Sequence, residues 1–191
     1  AVYIDSKGLL PSVTFTEKKS IYDLTTLFLR QGLRRIAYIG GEETRTAYVL
    51  REQGYRDAMR DYGLEVDERY IHNVRMHLLG GRDAYDWLCS LPELPEAIVC
   101  MTDTVTYGLM FNLMKNHYRI PEDIAVASGE DLDMSSFFLP GITCSHISIE
   151  KMGSEAARLL TGILQGEEPD EREIEIETFL VERDSSKKYA E

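Results

Sequence analysis

The sequence predicts an α/β fold: a parallel sheet with helices on both faces. Short apolar runs alternate with amphipathic helical stretches along most of the chain, the pattern of strands joined by crossover helices. One stretch, "PEAIVCMTDTVTYGLMFNLMKNHYRIPEDIAVASGED" at 95–131, holds a whole βαβ unit. In it the run Ala97–Met101 precedes a helix on which Val105, Leu109 and Leu113 recur at four-residue spacing, and "RIPEDIAVAS" supplies the next strand. Polar residues stand where both strands end, Thr102 and Asp103 after the first, Glu130 and Asp131 after the second. The carboxyl ends of the strands are where open α/β sheets bind ligands, so the pattern points to a binding site.

The other elements follow from the same periodicities. "AVYI" at 1–4 is a short apolar run ending at Asp5, and "SVTFT" at 12–16 alternates like a strand. Residues 17–31 form a helix with Ile21, Leu24, Leu27 and Phe28 on one face, Thr16 placed to cap it and Gly32 to stop it. "RRIAYIGG" is a strand closed by two glycines, and a helix from Arg45 to Tyr62 follows. "RYIHNV" is a further strand, and "GGRDAYDWLCSL" a helix that buries Ala84, Trp87, Leu88 and Leu91. "GITCSHI" is a strand, and 150–164 a helix with Met152, Ala156, Leu159, Leu160 and Leu164 inward. "GEEPDERE" is an acidic solvated link; "IEIETFLVER" alternates as one last strand before the polar tail "DSSKKYAE".

With 33 acidic and 21 basic side chains, the chain of 191 residues carries a formal net charge of −12. That balance disfavours direct contact with nucleic acid or an anionic membrane, because phosphates repel it. No apolar run reaches membrane-spanning length, and "AVYIDSKG" has no signal-peptide character. Cys89, Cys100 and Cys144 lack paired spacing and sit in apolar surroundings, as buried reduced thiols of a cytosolic protein would.

No enzyme motif emerges, and neither a metal nor a cofactor is expected. "GGEETRT" lacks both the dinucleotide fingerprint and the P-loop ending. His72 and His77 fall on different elements, and none of the four histidines stands beside an evident nucleophile. The acidic group Glu130, Asp131 and Asp133 lacks EF-hand spacing and reads as a loop capping the next short helix. Arg45 and Arg51 are left early in a helix near the strand ends. A guanidinium there can donate paired hydrogen bonds to hydroxyls or a carboxylate, and Asp5 and Glu130 on the same rim can accept from hydroxyls. Such a mixture suits a sugar or another small polar metabolite.

Six segments, "QGLRRIAYIGG", "REQGYRDAM", "AIVCMTDTVTYG", "RIPEDIAVAS", "LPGIT" and "FLVERDSS", occur in the order expected of the effector-binding core of LacI/GalR-type transcription regulators. The chain resembles that family over nearly its whole length. The resemblance implies a periplasmic-binding-protein-like fold of type I: two α/β lobes with a small molecule between them, preceded by a helix-turn-helix domain that this sequence does not include. It implies that 1–16 and 147–166 are parts of a first lobe, that 17–146 and 173–183 form a complete second lobe, and that 184–191 is a polar tail. The expectation is a truncated regulator of which most of the first lobe is missing. Carried over by position, effector contacts fall on Asp5, Arg51, Thr102 and Glu130, with Arg45 matching a contact of some members. Met76 and Ile149 stand where members often present an aromatic ring, and Tyr48 or Tyr107 are the substitutes for that stacking. The implied partners are the effector, a second copy of the chain, and operator DNA through the absent domain. The alternative is a periplasmic or sensor-fused sugar-binding module of the same fold.

Overall fold

The computed structural model describes residues 1–4, 10–41, 45–169 and 171–187. The strands are β1 (Tyr3–Ile4), β2 (Ser12–Phe15), β3 (Ile36–Gly41), β4 (Ile71–Val74), β5 (Ala97–Cys100), β6 (Ala125–Ser128), β7 (Thr143–His146), β8 (Glu173–Ile176) and β9 (Phe179–Val181). The helices are α1 (Glu17–Arg30), α2 (Thr46–Asp61), α3 (Leu78–Ser90), α4 (Asp103–Lys115), α5 (Met134–Phe137) and α6 (Ile149–Leu164). The chain divides into a unit of residues 1–16 and 147–179 and a larger one of residues 17–146 and 180–191.

The larger unit contains a six-stranded sheet in the order β4-β3-β5-β6-β7-β9. β3 pairs in parallel with β4 and β5, β5 with β6, and β6 with β7. Its central strands are apolar throughout because both faces are covered. Alternate side chains serve opposite cores: Ile39, Ile98, Cys100 and Val126 pack with Leu88, Val105 and Leu109 from α3 and α4. Tyr38, Val99, Met101 and Ala127 pack with Ile21, Phe28 and Tyr55 from α1 and α2. The α3–α4 contact depends on two glycines. A Cβ on Gly81 would lie 2.4 Å from both the Leu109 nitrogen and the Val105 oxygen, and one on Gly108 would lie 2.1 Å from the Leu78 oxygen. Only hydrogen side chains let the two backbones come so near.

The smaller unit has a three-stranded parallel sheet, β1-β2-β8, covered by α6. Val13, Phe15 and Ile176 pack against Met152, Ala156 and Leu159.

Three expectations are corrected. Leu160 and Leu164 of α6 are exposed, at 40% and 78%, because three short strands cover only a narrow stripe of the helix. Cys89 is exposed, whereas Cys100 and Cys144 are buried. The stretch 173–183 is two strands, not one: β8 pairs with β2 in the smaller unit, and β9 lies at the edge of the six-stranded sheet. Between them the Thr178 N–H donates to the Thr16 hydroxyl at 3.0 Å, which breaks the run without disturbing its alternation. Near its start the polar tail has two anchored residues. Ser185 and Ser186 are buried, the Ser185 hydroxyl donating to the Val126 carbonyl at 2.7 Å and accepting the Thr143 N–H at 2.9 Å. Hydroxyls at those positions satisfy backbone groups at the ends of β6 and β7.

Gly81→Ala should destabilise the chain by about 1–3 kcal/mol, the range for forcing extra volume into a packed interior. A lower urea midpoint with unchanged slope would register it; no change would mean that α3 and α4 separate at little cost.

Candidate functional site

The site candidates of the larger unit gather beyond the carboxyl ends of β3, β5 and β6. Arg51, one turn into α2, is 4% exposed. Its Nε donates to Glu17 Oε2 at 2.5 Å, while Nη1 donates to the Met101 carbonyl at 2.7 Å and reaches Glu130 Oε1 at 3.4 Å. Burial opposes the charge on this guanidinium, but the two carboxylates outweigh burial and raise its pKa. Burial also lifts the Glu130 carboxyl above its ordinary range, against the pull of Arg51 and with a further push from the Asp103 charge. Glu130 keeps 30% of its side chain exposed and is the member of this cluster that faces solvent.

Thr102, at the end of β5, directs its hydroxyl toward the Met76 sulfur at 3.5 Å and the Thr104 hydroxyl at 3.4 Å. Asp103 opens α4 and is fully buried. It accepts hydrogen bonds from the Ser128 hydroxyl, from the Leu132 N–H at 2.5 Å, from Ser135 Oγ at 3.0 Å and from the Tyr107 hydroxyl at 3.2 Å. Burial raises the Asp103 pKa although all four donors favour the carboxylate. With its acceptor sites engaged, Asp103 acts as an internal tie rather than a ligand contact.

The reading of the 130–133 acids as helix caps is corrected. Asp133 makes no side-chain cap to α5, and Asp131 turns back to His146 Nδ1 at 2.9 Å and Arg183 Nη1 at 2.8 Å. Asp131 is committed to internal partners, whereas Glu130 faces Arg51. Gly129 makes this loop possible: a Cβ there would lie 2.6 Å from the Met101 oxygen.

Tyr107 is engaged on one ring face and at its hydroxyl. Its ring lies flat on Phe138, with centroids 5.0 Å apart, and its hydroxyl is shared between Asp103 and Ser135. Arg45 is exposed at the start of α2, its guanidinium 5.8 Å from the Tyr48 ring centroid. Ile149 opens α6 in the smaller unit, where it is 70% exposed. Asp5 lies outside the described residues. The sequence reading missed Glu17 and the Asp131–His146–Arg183 group. Glu17 gave no signal beyond an acid in a first helical turn, a common feature of exposed helices. His72 stacks on Trp87 at 4.7 Å, and His77 caps α3 through Nδ1. Among the described residues no group of His, Cys, Asp and Glu could hold a metal.

The fold is a parallel α/β sheet with a polar cluster at its carboxyl edge, the edge where open α/β sheets take ligands. The chain belongs to the periplasmic binding protein-like domain family, whose model matches residues 25–186. It is 31% identical over 183 residues to the HTH-type transcriptional regulator RegA of Clostridium saccharobutylicum, a match covering 95% of this chain and 55% of RegA. Among solved structures, the transcription regulator CcpA of Lactococcus lactis superposes with a TM-score of 0.90 at 24% identity, covering 97% of this chain and 69% of that one. The transcriptional regulator CelR in complex with cellobiose superposes with a TM-score of 0.88 at 28% identity, covering 97% and 58%. The chain also superposes on a structure described as a LacI-family sugar-binding transcriptional regulator of Escherichia coli, with a TM-score of 0.83 at 22% identity, a likeness of fold that agrees with the one expected from the six segments. The chain spans about half the length of the curated relatives it matches.

Because Arg183 and His146 overcome burial and hold the Asp131 carboxyl below its ordinary value of 3.8, its carboxylate stabilises the folded chain above that pH. The contribution is lost as pH falls through the folded-state value. Asp131→Asn should therefore be destabilising at neutral pH, and its difference from wild type should shrink below about pH 4. A pH series of urea melts measures this; a difference independent of pH would remove the ion pairs as the cause.

Proposed function

We propose that this chain is the effector-sensing core of a LacI-type transcription regulator acting in the cytoplasm. The observation that carries the reading is the cluster of Arg51, Glu17 and Glu130 beside Thr102 at the carboxyl edge of a parallel sheet. Fixed donors and acceptors in one place suit a hydroxyl-rich ligand, and CelR, a relative of the same fold, is described in complex with cellobiose. A sugar or similar small polar metabolite is the proposed effector. Arg51, Thr102 and Glu130 form the proposed polar contacts and Met76 an apolar one, with Asp5, Arg45 and Ile149 added by register with the family. The effector acts by its differential affinity for two arrangements of the regulator, and that preference is transmitted to a helix-turn-helix domain outside this chain. Operator DNA is bound through that domain, and the −12 charge suits a core that need not touch phosphates.

The proposed regulator is a homodimer, so that two reading heads meet two half-sites. Leu79, Phe111, Met134, Phe137 and Leu139 of the larger unit are all more than half exposed, and Leu78, Phe111, Met134 and Phe138 line one groove along α3, α4 and α5. An apolar surface of this kind favours a protein partner, here a second copy. Phe137→Asp should convert a dimer to a monomer in sedimentation while leaving the circular dichroism unchanged; a variant that remains dimeric would remove this face as the interface.

Arg51 is a poor first test of binding, because its loss would strand the Glu17 carboxylate in the interior at a cost of about 3–5 kcal/mol. Glu130→Gln is the cleaner probe. A panel of neutral mono- and disaccharides including cellobiose, screened by thermal shift and followed by calorimetry, should give a binder whose affinity falls at least tenfold in Glu130→Gln, about 1.4 kcal/mol. A panel sugar bound equally by both forms would reject Glu130 as a contact.

A further inference from the structure

Arg51 is the charged donor of the proposed site, yet its charge is already engaged. Glu17, at the first position of α1, is 7% exposed and holds the Nε edge of the guanidinium. The acid also sits in the first helical turn, where the helix dipole favours a carboxylate. Nη1 is bonded to the Met101 carbonyl, and Glu130 faces the same nitrogen. Anion recognition by arginine uses two parallel N–H donors turned toward one ligand group, and the Nε–H needed for the side-on fork points at Glu17. One guanidinium faces two carboxylates, with the buried Asp103 charge close enough to act on Glu130. A phosphate or carboxylate entering here would lose its water and be placed beside those carboxylates. A hydroxyl, by contrast, can donate to Glu130.

We propose that Glu17 is a specificity-determining residue: by occupying the Arg51 guanidinium it withholds that charge from ligands, so that the site takes neutral polyhydroxylated molecules and turns away phosphate esters and carboxylates. The proposal rests on the reading that the effector binds at Arg51 and Glu130. Glu17 acts through Arg51 and is not itself a ligand contact.

The test uses this chain, inorganic phosphate and glucose 6-phosphate as anionic probes, and the panel of neutral sugars. The readouts are the ¹⁵N resonance of the Arg51 Nε–H and calorimetric affinity. In the wild type neither anion should move the Arg51 resonance. Glu17→Gln, which keeps the shape and removes the charge, should bind inorganic phosphate at least tenfold more tightly than the wild type, and Glu17→Gln combined with Arg51→Met should lose that gain. A wild-type Arg51 resonance that shifts with phosphate would overturn the proposal, and it does so whether or not the variant folds. So would a folded Glu17→Gln chain with no gain in phosphate affinity. The neutral panel separates this proposal from the functional reading beneath it. If no sugar moves the Arg51 resonance but Glu17→Gln gains phosphate, Glu17 controls the charge as proposed while the sugar-sensing reading fails.

Discussion

The carboxylate of Asp103 ties together most of the elements that meet at the carboxyl edge of the six-stranded sheet. It begins α4, takes a hydroxyl from the end of β6, a backbone N–H from the following loop, a hydroxyl from α5 and another from Tyr107 one turn along its own helix. The Cys144 sulfur of β7 also lies 3.9 Å from it. A buried charge is costly unless hydrogen bonds satisfy it, and a fully satisfied buried network fixes one arrangement of its members. The loop bearing Glu130 is held in place from within because Leu132, two residues on, is bonded to Asp103.

Three neighbouring acids thus have different tasks, decided by what each one meets. Asp103 is an internal tie. Asp131 is paired with His146 and Arg183, which fastens the same loop to β7 and to the segment after β9. Glu130 remains partly open beside Arg51. The structural acids restrain the loop so that the exposed one is held in a defined position, as the proposed effector contact requires if ordering is not to consume its affinity. Glu17 does the same for Arg51 from the other side, turning a long flexible cation into a fixed donor.

The double-sided core explains why so much of the fold could be read directly. Strands buried on both faces must be apolar throughout, and "IAYI", "AIVCM" and "IAVAS" stand out from their polar flanks for that reason. The same logic fails where burial is partial. Leu160 and Leu164 continue an apolar helical pattern beyond the width of the sheet that covers it, and the alternation at 173–181 runs unbroken through a change of sheet. Ser185 and Ser186 look like tail residues because a hydroxyl bonded to backbone and a hydroxyl in water have the same letter.

The sequence by itself determined the α/β class, the strand and helix order of the larger unit, and Arg51, Thr102 and Glu130 as residues near a sheet edge. Periodicity and strand ends are local properties, and they survive without coordinates. Only the tertiary structure decided which of two adjacent acids faces Arg51, which groups from other elements Asp103 accepts from, and that a residue 34 positions earlier, Glu17, claims the arginine first. Those are pairings between side chains far apart in the chain, and nothing in the spacing of residues records where a carboxylate will find its cation.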